Sequence, residues 1–226
     1  VLSYDYKHFI ANSHYTKNNL INAGIDSKRI SVIHNGVDLE GLKQVSSPKK
    51  EKPTITTVSR LVEYKNIGDV LDAAKILIKK HPDLRVEVVG SGAEEKNLKK
   101  KTRKLGLKDK VVFHGYVESH LDVMRIVKSS HAFVLPSTVE GFGITTIEAI
   151  ALKVPYAASD IPPIREATGA GRGGLLYPPR DVGGLASCLD RILSGKIKPD
   201  PGFAEENYGW DGLAKKTEET YRNLLH

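Results

Sequence analysis

Residues 131–152 read as a buried strand, a glycine-broken loop and a core helix in direct succession, and few folds accept that order. The run His131-Ala-Phe-Val-Leu-Pro136 is too short and too β-prone for a helix. Residues 144–152 are apolar enough for a helix packed in a core. Between them, Glu140-Gly141-Phe142-Gly143 leaves the carboxyl end of the strand and enters the helix N-terminus. Open α/β sheets bind ligands at that edge, and free N–H groups at a helix start favour a phosphate. The segment carries two glutamates, Glu140 and Glu148, with seven residues between them.

Strand-like and helix-like segments alternate along the rest of the chain with short connections. That alternation predicts an α/β class: a Rossmann-like parallel sheet with helices on both faces. A first, short unit comprises a strand over 9–12, a helix over 14–22 capped at Ser13, a strand over 30–34 and an Asn35-Gly36 turn. Residues 44–53 are polar and lysine-rich, a loop or linker. A longer series follows, with strands over 54–60, 84–89, 111–114, 131–136, 154–158 and 174–177. Its helices fall near 67–80, 94–105, 121–129 and 144–152 and from about 181. A Pro- and Gly-rich loop is expected before the last strand, and an amphipathic segment over 210–225 closes the chain.

With 226 residues, 40% of them hydrophobic, the chain can bury one substantial core. No apolar stretch reaches membrane-spanning length, and no signal-peptide pattern is read at the start. The single cysteine, Cys188, cannot form an internal disulfide; it reads as a small buried hydrophobe on a helix, which fits a reducing compartment. The net charge is +7, with a dense run at Lys96, Lys99, Lys100, Lys101, Arg103 and Lys104. Nucleic acid or an anionic membrane could use such a run. Leu98 and Leu105 keep a core-facing spacing, however, and few aromatic residues interleave, which favours a solvated helix face.

Two glycine-rich loops argue against hydride chemistry. Val88-Val-Gly-Ser-Gly92 follows a strand, but Glu95 stands where a dinucleotide fingerprint needs its third glycine. Gly169-Ala-Gly-Arg-Gly-Gly174 has the letters of that fingerprint but precedes a strand. No Walker lysine, His/Cys metal spacing or Asp-x-Asp clamp is present, and His120-Leu-Asp122 reads as a helix start. Arg60 and Lys65 fall at the end of the first main strand and in the loop after it. Both should project at the same sheet edge as Glu140, where two cations can hold a diphosphate and offset the charge of its departure. Glu148, a turn into its helix, is at a reach suited to a ribose diol, since a carboxylate can accept two hydroxyl hydrogen bonds. Helix-dipole pairing for Glu140 and a buried salt bridge for Glu148 are the bland alternatives.

With these motifs in order, the chain resembles the retaining glycosyltransferases of family 4, of the two-Rossmann-domain (GT-B) type. The matching features are Ser59-Arg-Leu-Val-Glu-Tyr-Lys65-Asn66, Glu140-x7-Glu148, Asn35-Gly-Val-Asp38, Gly115-Tyr-Val117, residues 163–166 and Gly173-Gly-Leu-Leu-Tyr-Pro-Pro-Arg-Asp181. The resemblance implies one half of a GT-B architecture: the carboxy-terminal domain that binds a nucleotide sugar. Arg60 and Lys65 would hold the diphosphate, Glu148 the ribose and Glu140 the donor sugar. The amides of Gly141, Phe142, Gly143 and Ile144 would line sugar and phosphate, with Tyr116 and Val117 edging the base. Transfer would proceed with retention and no obligatory metal or other cofactor, with Glu140 orienting rather than attacking.

On that reading residues 1–36 are the end of an amino-terminal acceptor domain, 37–205 the donor domain and 206–226 a closing helix that packs toward the missing partner. The chain, which begins at Val1 in mid-pattern, is then expected to bind donor with little transfer of its own. Glycan, lipid or another acceptor would reach it through the amino-terminal domain. A cytoplasmic site, with peripheral membrane contact conceivable and no nucleic-acid partner, completes the expectation. A stand-alone donor-binding subunit and a nucleotide-sugar epimerase on the same architecture are the alternatives.

Overall fold

The computed structural model describes residues 6–225. The first five residues of the expected amino-terminal remnant, and His226 of the closing segment, lie outside the described residues. A small unit comes first: β1 (Phe9–Ala11), α1 (His14–Asn22) and β2 (Ile30–Val32), with β1 and β2 paired in parallel. Ser13 caps α1 by accepting from the Thr16 N–H, as its position before the helix predicts. Next come α2 (Leu39–Gln44), β3 (Thr54–Val58), α3 (Ile67–Leu77), β4 (Arg85–Val89), α4 (Glu95–Lys104), β5 (Val111–Gly115), α5 (His120–Ser129) and β6 (Ala132–Leu135). The chain continues with α6 (Ile144–Ala151), β7 (Tyr156–Ser159), α7 (Pro162–Ala167), β8 (Gly174–Tyr177), α8 (Val182–Leu193), α9 (Pro201–Tyr208) and α10 (Trp210–Leu225).

The six main strands pair in parallel in the order β5-β4-β3-β6-β7-β8. Alternation along the inner strands feeds two separate cores. Ala132 and Val134 of β6 join the core under α3, α4 and α8, while Phe133 and Leu135 join the one under α5, α6, α7 and α9. Helices therefore cover both faces, the Rossmann-like arrangement expected. Phe133, Leu135 and Ile147 are buried, each contributing about 1.5–3 kcal/mol by its transfer from water.

Three helices differ from the sequence-based reading. α7 occupies the segment expected to be a Pro- and Gly-rich loop: Pro162 stands in its first turn, where a missing N–H costs nothing. α2 and α9 were not expected. Asp38 caps α2 by accepting from the Gly41 N–H, and α9 begins with Pro201 after Asp200. β1, β2, β3 and β6 end a little earlier than predicted, whereas β5 and β7 each run one residue further; β3 closes at Val58, so Arg60 stands in the loop rather than on the strand.

Candidate functional site

The sheet reverses its direction of construction between β3 and β6, and a cavity of about 340 Å³ opens at the carboxyl ends of these two strands. Its wall is built from Ser59, Arg60 and Lys65 after β3, and from residues 140–145 after β6. The two loops are tied together: the Thr138 N–H donates to the Tyr64 carbonyl at 2.8 Å. The β3 loop is also fixed to the β4 end, where the Leu61 N–H donates to Ser91 O at 2.9 Å. Gly90 allows that approach. A Cβ there would lie 1.9 Å from Ser59 O, and its φ is +121°.

Lys65 Nζ meets Glu140 Oε1 at 2.5 Å, with the two side chains 13% and 12% exposed. Arg60 Nη2 donates to the Tyr64 hydroxyl at 2.5 Å, and Lys65 lies over the Tyr64 ring. Next to these cations stands the start of α6. Its cap residue, Gly143, takes φ +89° and makes no side-chain cap hydrogen bond, while the Thr146 N–H donates to the Gly143 carbonyl at 3.0 Å. That N-terminus suits an anion through its free N–H groups and dipole. A cationic pair, an uncapped helix start and a carboxylate thus converge on one hollow.

Glu148 lies one turn further along α6, almost wholly buried, with its Oε1 2.8 Å from His120 Nε2. Burial raises its carboxyl above the usual carboxylate value, and the hydrogen bond from His120 opposes that rise. His120 is the first residue of α5, so its reading as a helix start holds; its contact with Glu148 could not be read from spacing. The partner of Glu148 is thus a histidine whose own side chain is 60% exposed, not the partner of a fully buried salt bridge.

The structure thus gathers Arg60, Lys65, Glu140, Gly141, Phe142, Gly143 and Ile144 around one cavity. Glu148 does not line it but faces the segment that follows β5. Tyr116 and Val117 stand in that segment, at the edge of the sheet: Tyr116 is exposed, and Val117 packs on the core. Asn12 and Asn35 of the amino-terminal unit also line the cavity, a role that local sequence did not indicate. Two larger hollows, of about 560 and 670 Å³, lie along α10. The first is rimmed by Asp38, Glu40, Glu205, Glu206 and Asp211 and repels an anion; the second is largely apolar. Among the described residues no group of three or more His, Cys, Asp or Glu is placed to hold a metal ion, and no helix is long and apolar enough to cross a membrane.

Residues 40–208 match the family model described as glycosyl transferases group 1, and residues 2–40 match that of glycosyltransferase family 4. The chain is 26% identical over 198 residues to the lipopolysaccharide 1,6-galactosyltransferase of Salmonella typhimurium, covering 85% of this chain and 55% of that protein. It is 28% identical over 204 residues to a glycogen synthase of Mycobacterium tuberculosis, covering 85% of this chain and 48% of that one. The chain spans about half the length of these curated relatives. Among solved structures, Anabaena HepE in complex with UDP and glucose superposes with a TM-score of 0.83 at 21% identity, over 96% of this chain and 63% of that one. That likeness speaks to fold alone.

Proposed function

The chain belongs to the glycosyl transferases of group 1, and from that premise we propose that it is the donor-binding part of a retaining glycosyltransferase. One observation carries the reading: Arg60, Lys65 and the uncapped start of α6 converge on a hollow at the switch point of the sheet. A nucleoside diphosphate sugar fits that chemistry. Arg60 and Lys65 hold the diphosphate, and the amides of Gly141, Phe142, Gly143 and Ile144 line phosphate and sugar. Glu140 orients the sugar, Glu148 takes the ribose diol, and Tyr116 and Val117 edge the base.

Lys65 is paired with Glu140, so a donor phosphate competes with that carboxylate for the same ammonium. As the bond from the anomeric carbon to the diphosphate breaks, the two cations offset the growing charge. The acceptor oxygen attacks from the same face, and its proton passes to the leaving diphosphate. Positive charge from Arg60 and Lys65 serves where another enzyme would use a metal. The acceptor, a glycan, lipid or other hydroxyl compound, binds largely to an amino-terminal domain that precedes the donor domain, with residues 6–36 at their junction. The site faces the cytoplasm, where nucleotide sugars are made.

Calorimetric titration with UDP-, GDP- and ADP-sugars tests this. Selective binding of one base is expected, weakened about tenfold or more in Lys65→Ala and Glu148→Ala, the loss of one charge-assisted contact each. Binding that both variants leave untouched would place the nucleotide elsewhere.

A further inference from the structure

Glu166, on α7, does not line the cavity, yet its carboxylate is committed to the amino-terminal unit. Oε1 accepts from the His14 N–H at 2.8 Å and Oε2 from the N–H groups of His14 and Tyr15 at 3.0 and 3.4 Å. These are the first two residues of α1, so the glutamate supplies a negative charge at the positive end of that helix. His34 Nε2 lies 2.7 Å from Oε1, and because an ionised carboxylate only accepts, this nitrogen donates. The imidazole held in this way lies flat against Phe142, ring centroids 5.2 Å apart and planes 19° apart. Tyr208 meets both rings edge-on, at 5.9 and 5.5 Å. Nearby, Ser13 Oγ donates to the carbonyl of Gly141 at 2.9 Å.

Phe142 is buried between two glycines in the loop that carries Glu140. Glycine on either side leaves such a backbone many conformations to lose, so its shape must be imposed from outside. The stack on His34 and the Ser13 bond are the contacts by which the amino-terminal unit helps to impose it.

We propose that Glu166 is a positioning residue which, through His34, fixes Phe142 and with it the Glu140–Gly143 backbone that meets the donor. This rests on the reading of that loop as the donor site. It means that the amino-terminal unit is coupled to the donor loop through one carboxylate and one aromatic stack in addition to the Ser13–Gly141 hydrogen bond, so a shift of that unit is felt at the phosphate-binding amides. Glu166 contributes without touching the donor.

The test uses three variants of the full chain, with 15N relaxation of the Gly141, Phe142 and Gly143 amides and calorimetric titration of UDP. Glu166→Gln loses the charge and an acceptor, His34→Ala loses the stack, and His34→Phe keeps the stack without the carboxylate contact. In wild type the three amides should be rigid, with order parameters near ~0.85, falling below about 0.6 in Glu166→Gln and His34→Ala. UDP should bind roughly three- to tenfold more weakly in those two, the scale of one lost charge-assisted contact. His34→Phe should regain rigidity and affinity relative to His34→Ala. Loop amides as rigid as wild type in Glu166→Gln overturn the proposal. So does a loss of order that spreads equally into β4, or a phenylalanine that rescues nothing. If wild type fails to bind UDP or any other nucleotide, the donor-site reading falls, while the relaxation data still decide the clamp.

Discussion

Replacing Lys65 and Glu140 singly and together should reveal how strongly the site depends on its own ion pair. The charged atoms stand 2.5 Å apart, with 13% and 12% of the side chains exposed. Two unit charges about 4 Å apart attract by about 4 kcal/mol at an effective dielectric near 20. Desolvation of both groups takes back a large part of that, and the open cavity beside them softens what is left. A net coupling of about 2 kcal/mol follows. Lys65→Met or Glu140→Gln alone should cost about 2–3 kcal/mol, because each leaves the other charge covered and unpaired. The double variant should cost less than the sum by the coupling energy. Urea denaturation of the four proteins at neutral pH measures this as shifts in midpoint at constant slope. The coupling should survive added salt, unlike that of the exposed Lys43–Glu40 pair on α2. A coupling below about 0.5 kcal/mol, or one abolished by salt, would refute the argument that burial makes this pair matter.

Two further outcomes are expected. Gly90→Ala should destabilise the protein by at least about 3 kcal/mol in thermal unfolding, since a methyl group 1.9 Å from Ser59 O at φ +121° must displace backbone; a loss below about 1 kcal/mol would show that the β3 and β4 loops part easily. Burial holds the Glu148 carboxyl above its ordinary value of 4.5, so the folded protein keeps a proton that the unfolded chain has released. Stability should therefore fall as pH rises from about 4.5 through the folded value, and Glu148→Gln should flatten that fall in a series of urea midpoints; an unchanged slope would contradict it.

The parts of the site legible in the sequence are those set by chain-local chemistry. A strand ending at Leu135, glycines at 141 and 143 and an apolar helix after them already place Glu140 at a sheet edge, and Arg60 and Lys65 follow from the end of β3. Ser13 announces α1 in the same way. Short helices were less legible. In α7 and α9 a proline opens the helix, and proline within a glycine-rich stretch reads as a loop unless its tolerance in a first turn is weighed. The partners of the site were not legible at all. His120 with Glu148, and Glu166 with His34, join residues far apart in the chain, and only the packing of α5 on α6 and of α7 on the amino-terminal unit brings them together. Helix capping by a distant carboxylate leaves no periodic trace.

The strand order has a consequence for the history of the molecule as well as for its site. β3 pairs with β4 across a short connection through α3, but its other neighbour, β6, begins only at Ala132. As the chain is synthesised, β3, β4 and β5 are complete while one edge of β3 still has no partner. Such an edge is open to pairing with another chain, and its closure waits on a contact distant in sequence. The crevice draws Arg60 and Lys65 from the half made first and Glu140 from the half made later, so it comes into being only when that seam closes. Any insertion between β3 and β6 would therefore lengthen the interval in which a nascent chain shows its unpaired edge.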